Sequence, residues 1–293
     1  MLSIPIQAFP IALTKSHGLR DQHSPTTHIV NLVAINRLIR TGSVLTTLAA
    51  SSISANAALT VLYSTNFNNN PSPPPASYSD GVLIGQDGWV NSASTTTNPV
   101  RVANTATNGN VTLATEGQDV ERALGTSVSS GSVFLSSSIS VASGFSGGDY
   151  FLYLKAGPTN VGRVYVRSSG AGYQLGVAPN SSTITYGTGV FSFGVQQSIL
   201  MEYKFVLGLN NDVASIFVNP TSESGSTDVP YATATASGTS VNDASTISLV
   251  GLRQGTDLTS PVVTIDNIVV SVPEPSAMIL GSLGMLGLLR RRR

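Results

Sequence analysis

Between residues 58 and 272 the chain is a succession of short segments in which apolar and polar residues alternate, each closed by Gly, Asn, Asp or Pro. A period of two marks a strand with one dry side and one wet side. The clearest segment is 199–207, where Ile199, Met201, Tyr203, Phe205 and Leu207 share one face while Glu202 and Lys204 take the other. Residues 132–142 repeat the pattern with Val133, Leu135, Ile139 and Val141. Further strands are expected at 59–64, 120–124, 150–155, 163–168, 173–177, 213–219, 246–252 and 262–271. Turn chemistry separates them: Ser146-Gly147-Gly148-Asp149, Gly157-Pro158-Thr159-Asn160, Ser169-Gly170-Ala171-Gly172 and Leu209-Asn210-Asn211-Asp212. No ten-residue stretch carries a helical apolar stripe. Many short strands in one stretch of about 215 residues predict a single all-β domain over 58–272, an antiparallel two-sheet β-sandwich of jelly-roll type.

Two stretches resist the pattern. Residues 68–79 hold Pro71, Pro73, Pro74 and Pro75 and read as an extended surface loop. Residues 92–110 are rich in Ser, Thr and Asn and read as a long loop at one end of the sandwich, where binding sites tend to gather.

Composition removes whole classes of chemistry. Cysteine is absent, and the three histidines, His17, His23 and His28, all precede the domain. Disulfides, thiolate nucleophiles, Ser-His-Asp triads and His-ligated zinc all need residues that are missing from 58–272. What remains is carboxylate chemistry and oxygen-ligated cations. The full chain is formally neutral, but 58–272 holds seven basic and thirteen acidic residues, a balance of −6. An acidic domain with scattered cations offers no footprint for nucleic acid.

At Pro273 the character changes. Pro273-Glu274-Pro275 reads as a stiff, solvated spacer, because two prolines bar a helix or a central strand. An uncharged run, Ala277 to Leu289, follows and leads to Arg290, Arg291, Arg292 and Arg293. As a helix the run is roughly 20 Å long against a hydrocarbon core of about 30 Å, enough to engage a membrane, with the arginines favouring the cytoplasmic side. These three elements, in this order, resemble the PEP-CTERM sorting signal of bacterial envelope proteins. The resemblance implies recognition by an exosortase, a membrane protease that removes the tail as the protein reaches the surface or the extracellular matrix. It makes Pro273, Glu274, Pro275 and Arg290 to Arg293 the sorting residues.

The other end fits the same route. Arg37 and Arg40 precede a weakly apolar stretch at 44–53, and Ala55-Asn56-Ala57 has the A-x-A form of a signal-peptide cleavage site. Residues 1–57 are therefore expected to be an upstream extension followed by a signal peptide, with Ala55 and Ala57 marking the cut. The expected partners are the export machinery, the exosortase, the membrane through the C-terminal segment before processing, and extracellular polysaccharide.

Residues 198–271 resemble concanavalin-like, laminin-G-like jelly-roll domains, on Glu202-Tyr203-Lys204-Phe205, Ile216-Phe217-Val218-Asn219-Pro220, Leu252-Arg253-Gln254-Gly255 and the closing strand from Thr264 to Val270. The resemblance implies two packed antiparallel sheets with the last strand beside the first, and 59–67 is placed to be that partner. Some jelly-roll proteins hydrolyse glycosides, which takes two carboxylates about 5–9.5 Å apart. The densest acidic cluster is Glu116-Gly117-Gln118-Asp119-Val120-Glu121, in which a strand would put Asp119 and Glu121 on one face and Glu116 on the other. The glucanase pattern Glu-x-Asp-x-x-Glu is not met. Trp89, the single tryptophan, either packs the core or offers a platform for a sugar ring, with packing favoured. No cofactor is expected beyond a candidate structural Ca²⁺ at Asp266 and Asn267 with Asn66 or Asn68. The chain thus reads as an exported, non-catalytic surface or matrix protein with a structural, adhesive or glycan-binding role. The competing reading is a glycoside hydrolase using Asp119 and Glu121.

Overall fold

The computed structural model describes residues 58–68, 78–92, 95, 97–104, 109–114, 116–144, 147–180, 184–237, 243–255 and 263–274. The expected signal peptide with Ala55 and Ala57, the apolar C-terminal run, Pro275 and Arg290 to Arg293 lie outside these residues. Among the described residues every regular element is a strand, and no helix is long and apolar enough to cross a membrane.

The strands follow one another as β1 (Leu59–Thr65), β2 (Gly81–Val82), β3 (Val90–Asn91), β4 (Arg101–Asn104), β5 (Gly109–Leu113) and β6 (Val120–Val128). Then come β7 (Ser132–Val141), β8 (Gly148–Ala156), β9 (Thr159–Ser169), β10 (Gly172–Ala178), β11 (Thr185–Tyr186) and β12 (Phe191–Ser192). The chain closes with β13 (Gln197–Lys204), β14 (Val213–Val218), β15 (Ala232–Thr235), β16 (Ile247–Leu252) and β17 (Val263–Pro273). A nine-stranded sheet runs β15-β14-β13-β7-β17-β5-β4-β2 with β1 also on β17. An eight-stranded sheet runs β11-β10-β9-β8-β16-β6-β3 with β12 also on β10. Every pairing is antiparallel, and the sequence crosses between sheets at β2–β3, β3–β4, β5–β6, β6–β7, β7–β8, β12–β13, β15–β16 and β16–β17.

Alternation builds the core. Val133, Leu135, Ile139, Val141, Ile199, Met201 and Tyr203 from the larger sheet meet Leu152, Leu154, Val164, Val166, Leu175 and Val177 from the smaller one, all buried in one cluster. The side chains between them point outward. Leu207 is a correction: it lies beyond the end of β13 in a turn and is fully exposed, while Phe205 is half-buried. The strand stops at Lys204 because Gly208, Asn210 and Asn211 turn the chain, with Gly208 and Asn210 at positive φ. The stretch at 92–110 is also not one loop, since β4 and the start of β5 fall within it and pair Val102 with Val111.

The last strand lies beside the first, as the jelly-roll resemblance implied, with Thr65 opposite Ile268 and Leu59 opposite Pro273. Here the reading of Pro273-Glu274-Pro275 as a stiff, solvated spacer is corrected at its start, where Pro273 is paired in a strand although Glu274 is exposed. Pro273 closes β17, and the Glu274 backbone N–H donates to the Ala58 carbonyl at 2.8 Å. The proline is tolerated because β7 leaves β17 at the Ser271–Phe134 pair. Beyond that point β17 is an edge strand on one side, where a missing N–H costs no ladder bond.

Candidate functional site

The outward face of the smaller sheet gathers what the interior excludes. On β9, Arg163, Tyr165 and Arg167 alternate with the core residues Val164 and Val166. Tyr165 stands opposite Tyr150 on β8 and Gly176 on β10, and Gly176 stands opposite Tyr186 on β11. The result is a row of rings across the sheet. Centroids lie 6.4 Å apart for Tyr186–Tyr165, 5.4 Å for Tyr165–Tyr150 and 5.9 Å for Tyr150–Tyr153. Two glycines make the room: a Cβ at Gly176 would collide with the Tyr186 ring, and one at Gly251 with the Tyr153 ring. Tyr150 and Tyr153 face the same way although three residues apart, because the β8–β9 register shifts between Tyr150 and Leu152.

Cations lie on these rings. The Arg167 guanidinium sits 4.0 Å from the Tyr186 centroid, while Arg253 and Arg163 lie 4.2 and 4.8 Å from that of Tyr150. Arg167 donates Nε–H and Nη2–H to Gln174 Oε1 at 3.0 and 2.9 Å, and Arg163 donates Nε–H to the Asn160 carbonyl at 2.9 Å. Arg253 is paired with Asp149 and faces Asp119 at 3.7 Å, and Lys155 is paired with Glu121. Burial alone would lower the Arg253 pKa, yet Tyr150, Asp149 and Asp119 hold it above its ordinary value. Burial raises the hydroxyl pKa of Tyr153, Tyr165 and Tyr186, so these groups are neutral donors at physiological pH.

Asp119 and Glu121 are thus brought to this face, as expected. Asp119 accepts the Gln254 N–H at 2.9 Å and lines a recess of about 520 Å³ with Asn98, Glu116, Arg253 and Gln254. Burial pushes its carboxyl up, against the lowering effects of Gln254 and Arg253. Glu116 is not part of the strand, so strand alternation does not set its side. It precedes β6, has a φ of 33° and shares the recess with Asp119.

Trp89 is fully buried, so it offers no platform. Its Nε1–H reaches Tyr63 Oη and Tyr78 Oη at 3.1 and 3.2 Å, and both hydroxyls lie 3.0 Å from Asp87 Oδ2. At the calcium candidate, the Asp266 carboxylate accepts both the N–H and Nδ2–H of Asn267, and Asn66 Oδ1 accepts the Asn68 N–H. Asn68 Oδ1 accepts the Gly109 N–H. Among the described residues no group of three or more Asp, Glu, His or Cys comes together around a common point.

The tyrosines and arginines of this face carried no motif. The one legible signal was Arg163-Val164-Tyr165-Val166-Arg167, an alternation whose polar half is cationic and aromatic rather than Ser and Thr.

Comparison with known proteins bears on the C-terminus first. Residues 271–293 match the PEP-CTERM protein-sorting motif. The chain carries a PEP-CTERM sorting signal. Such a signal marks an exported protein processed by an exosortase, with a membrane-anchoring C-terminal segment. No curated protein matches the sequence. Among solved structures, a variant of the alginate lyase Aly36B in complex with alginate tetrasaccharide is similar at 17% identity and a TM-score of 0.42, over 71% of this chain and 95% of that one. Domain 4 of AbnA, a GH43 extracellular arabinanase from Geobacillus stearothermophilus in complex with arabinotriose, is similar at 13% identity and a TM-score of 0.41, over 74% and 93%. The CBM2 module of the evolved Dit of Lactobacillus casei BL23 phage J-1 is similar at 11% identity and a TM-score of 0.41, over 75% and 98%.

Proposed function

We propose that the protein is a non-catalytic component of the cell surface or extracellular matrix, and that the outward face of the smaller sheet binds polysaccharide. The observation that carries this reading is the row Tyr186–Tyr165–Tyr150–Tyr153, in which Tyr165 and Tyr153 are buried and the partly exposed Tyr186 and Tyr150 carry the stacked arginines at the surface. Sugar rings have apolar faces that lie against aromatic rings and hydroxyl edges that take hydrogen bonds from guanidinium and phenol groups. A strand-borne row is rigid, so little entropy is lost when a chain settles on it. Export, marked by the sorting motif, supports a partner met outside the cell. The test is binding of the exported protein to a glycan array, with Tyr150→Ala and Tyr186→Ala as comparison. The reading requires binding in the parent and at least a tenfold loss in the variants; equal binding by all three refutes it.

The non-catalytic part of the reading rests on the partners of the two carboxylates. Glu121 is occupied by Lys155, and Asp119 by Gln254 and Arg253. One observation favours the competing enzyme: burial raises the Asp119 pKa, the direction a general acid needs. Release of reducing ends from a polysaccharide panel decides between the two. Hydrolysis that is abolished in Glu121→Gln and in Asp119→Asn would establish the enzyme.

A further inference from the structure

We infer that the bound polysaccharide is anionic, and that Arg163 and Arg167 read its carboxylate groups; this rests on the glycan-binding reading above. Of the seven basic residues between 58 and 272, four stand on this one face, in a domain whose overall balance is acidic. The four are not equivalent. Lys155 and Arg253 are neutralised by Glu121, Asp119 and Asp149. Arg163 and Arg167 make no ion pair among the described residues, and their acceptors are neutral: the Asn160 carbonyl and the Tyr165 hydroxyl for Arg163, the Gln174 amide for Arg167.

A guanidinium without a carboxylate partner is a standing site for an anion, and its planar fork matches a carboxylate in bidentate fashion. Stacking on Tyr150 and Tyr186 fixes each plane; Nε–H of each arginine is spent on Asn160 or Gln174, and N–H groups at the Nη end remain to donate. Arg163 and Arg167 are four residues apart on one strand, about 13 Å at roughly 3.3 Å per residue. Tyr165 lies between them on the same face. Two cations spaced along one strand suit a polymer that presents a negative group at intervals, with the buried Tyr165 between them as the floor of the strip. The acidic remainder of the domain repels a polyanion, which confines it to this strip.

The experiment uses polygalacturonate and its methyl ester, which share a backbone and differ in charge, with the exported protein and its Arg163→Gln/Arg167→Gln variant. Expected are binding of polygalacturonate, a loss of about 10- to 100-fold on the methyl ester or in the variant, and a further fall between 0.1 and 0.5 M NaCl. Equal binding of ester and acid, lost in Tyr150→Ala but unchanged in the arginine variant, overturns the anionic inference and leaves a neutral-glycan face. Binding of neither polymer, with no binding on the wider glycan array, overturns the glycan reading itself. If the double variant fails to reach the parent's melting temperature, Arg167→Gln alone replaces it, because Arg167 is exposed and its removal leaves the core intact.

Discussion

Removing one oxygen from the core tests how the larger sheet is tied to the turn beside it. Tyr203 is buried in β13, and its hydroxyl donates to Asp212 Oδ2 at 2.6 Å and accepts the Ala244 N–H at 3.3 Å. Asp212 is also buried, and its Oδ1 takes the Val206 N–H at 2.8 Å. Tyr203→Phe leaves no cavity but strips a buried carboxylate of its short, charge-assisted donor, worth about 1.5–3 kcal/mol. The long Ala244 contact adds about 0.5 kcal/mol, so the expected loss is about 2–3.5 kcal/mol. In a domain of this size that lowers Tm by roughly 4–14 °C. Phe205→Ala should cost less than its fully buried counterpart would, about 1.5–2.5 kcal/mol, because Phe205 is half-buried against the Tyr203 ring. Glu202→Ala, which loses a partly exposed bond from Ser132, should cost under about 0.5 kcal/mol. Urea unfolding followed by Trp89 emission gives all three, since the single tryptophan is buried. A Tyr203→Phe variant as stable as the parent would show that Asp212 is not held by this bond.

Trp89→Phe should leave a small cavity where the second indole ring stood and two tyrosine hydroxyls without their shared donor, lowering stability by about 1–3 kcal/mol or more in thermal melts. Burial raises the Asp266 pKa, so the folded state holds that proton more tightly than the unfolded chain does. Asp266→Asn and the parent should therefore differ least near pH 3, and the variant should become relatively more stable as pH rises past the ordinary carboxylate value of about 3.9; a gap that closes on raising pH contradicts the sign. Replacing Arg290 to Arg293 with Ser, or Glu274 with Ala, should leave the domain folded and impair tail removal. Mass spectrometry of the exported protein reads this directly, and a parent species still ending at Arg293 in a cell with an exosortase refutes the processing.

Period-two alternation made the sandwich legible, because inward-facing residues are fixed by burial whatever the strands pair with. Val133, Leu135, Ile199 and Met201 fall where their spacing puts them. Pairing and bulges were not legible. A strict alternation along β8 sends Tyr150 inward with Leu152, and only the register shift against β9 returns it to the outer face. The same limit hid the site: a row of four tyrosines on three strands has no linear motif, and Arg253 is more than 80 residues from Arg167. Trp89 was ambiguous because its neighbours in sequence, Gly85 to Gly88, say nothing of Tyr63 and Tyr78, which bury it. Proline chemistry predicted a break at Pro273, and the edge position of that stretch of β17 removed the need for one.

The outer face of the smaller sheet illustrates how a domain without histidine or cysteine can still hold polar side chains in fixed positions. A free arginine samples many rotamers, and ordering it on binding costs up to about 1.5–2 kcal/mol. Here the cost is met during folding. Arg167 is held at once by the Tyr186 ring and by two bonds to Gln174, and Arg163 by the Tyr150 ring and the Asn160 carbonyl. The tyrosines are seated in turn by the backbone, since Gly176 and Gly251 leave the space their rings occupy. Replacing either glycine with a larger residue would lift a ring, release the arginine above or beside it, and disorder the face without touching the core on the other side of the sheet. Rigidity of the site and stability of the fold are therefore carried by opposite faces of the same strands, and each can be altered alone.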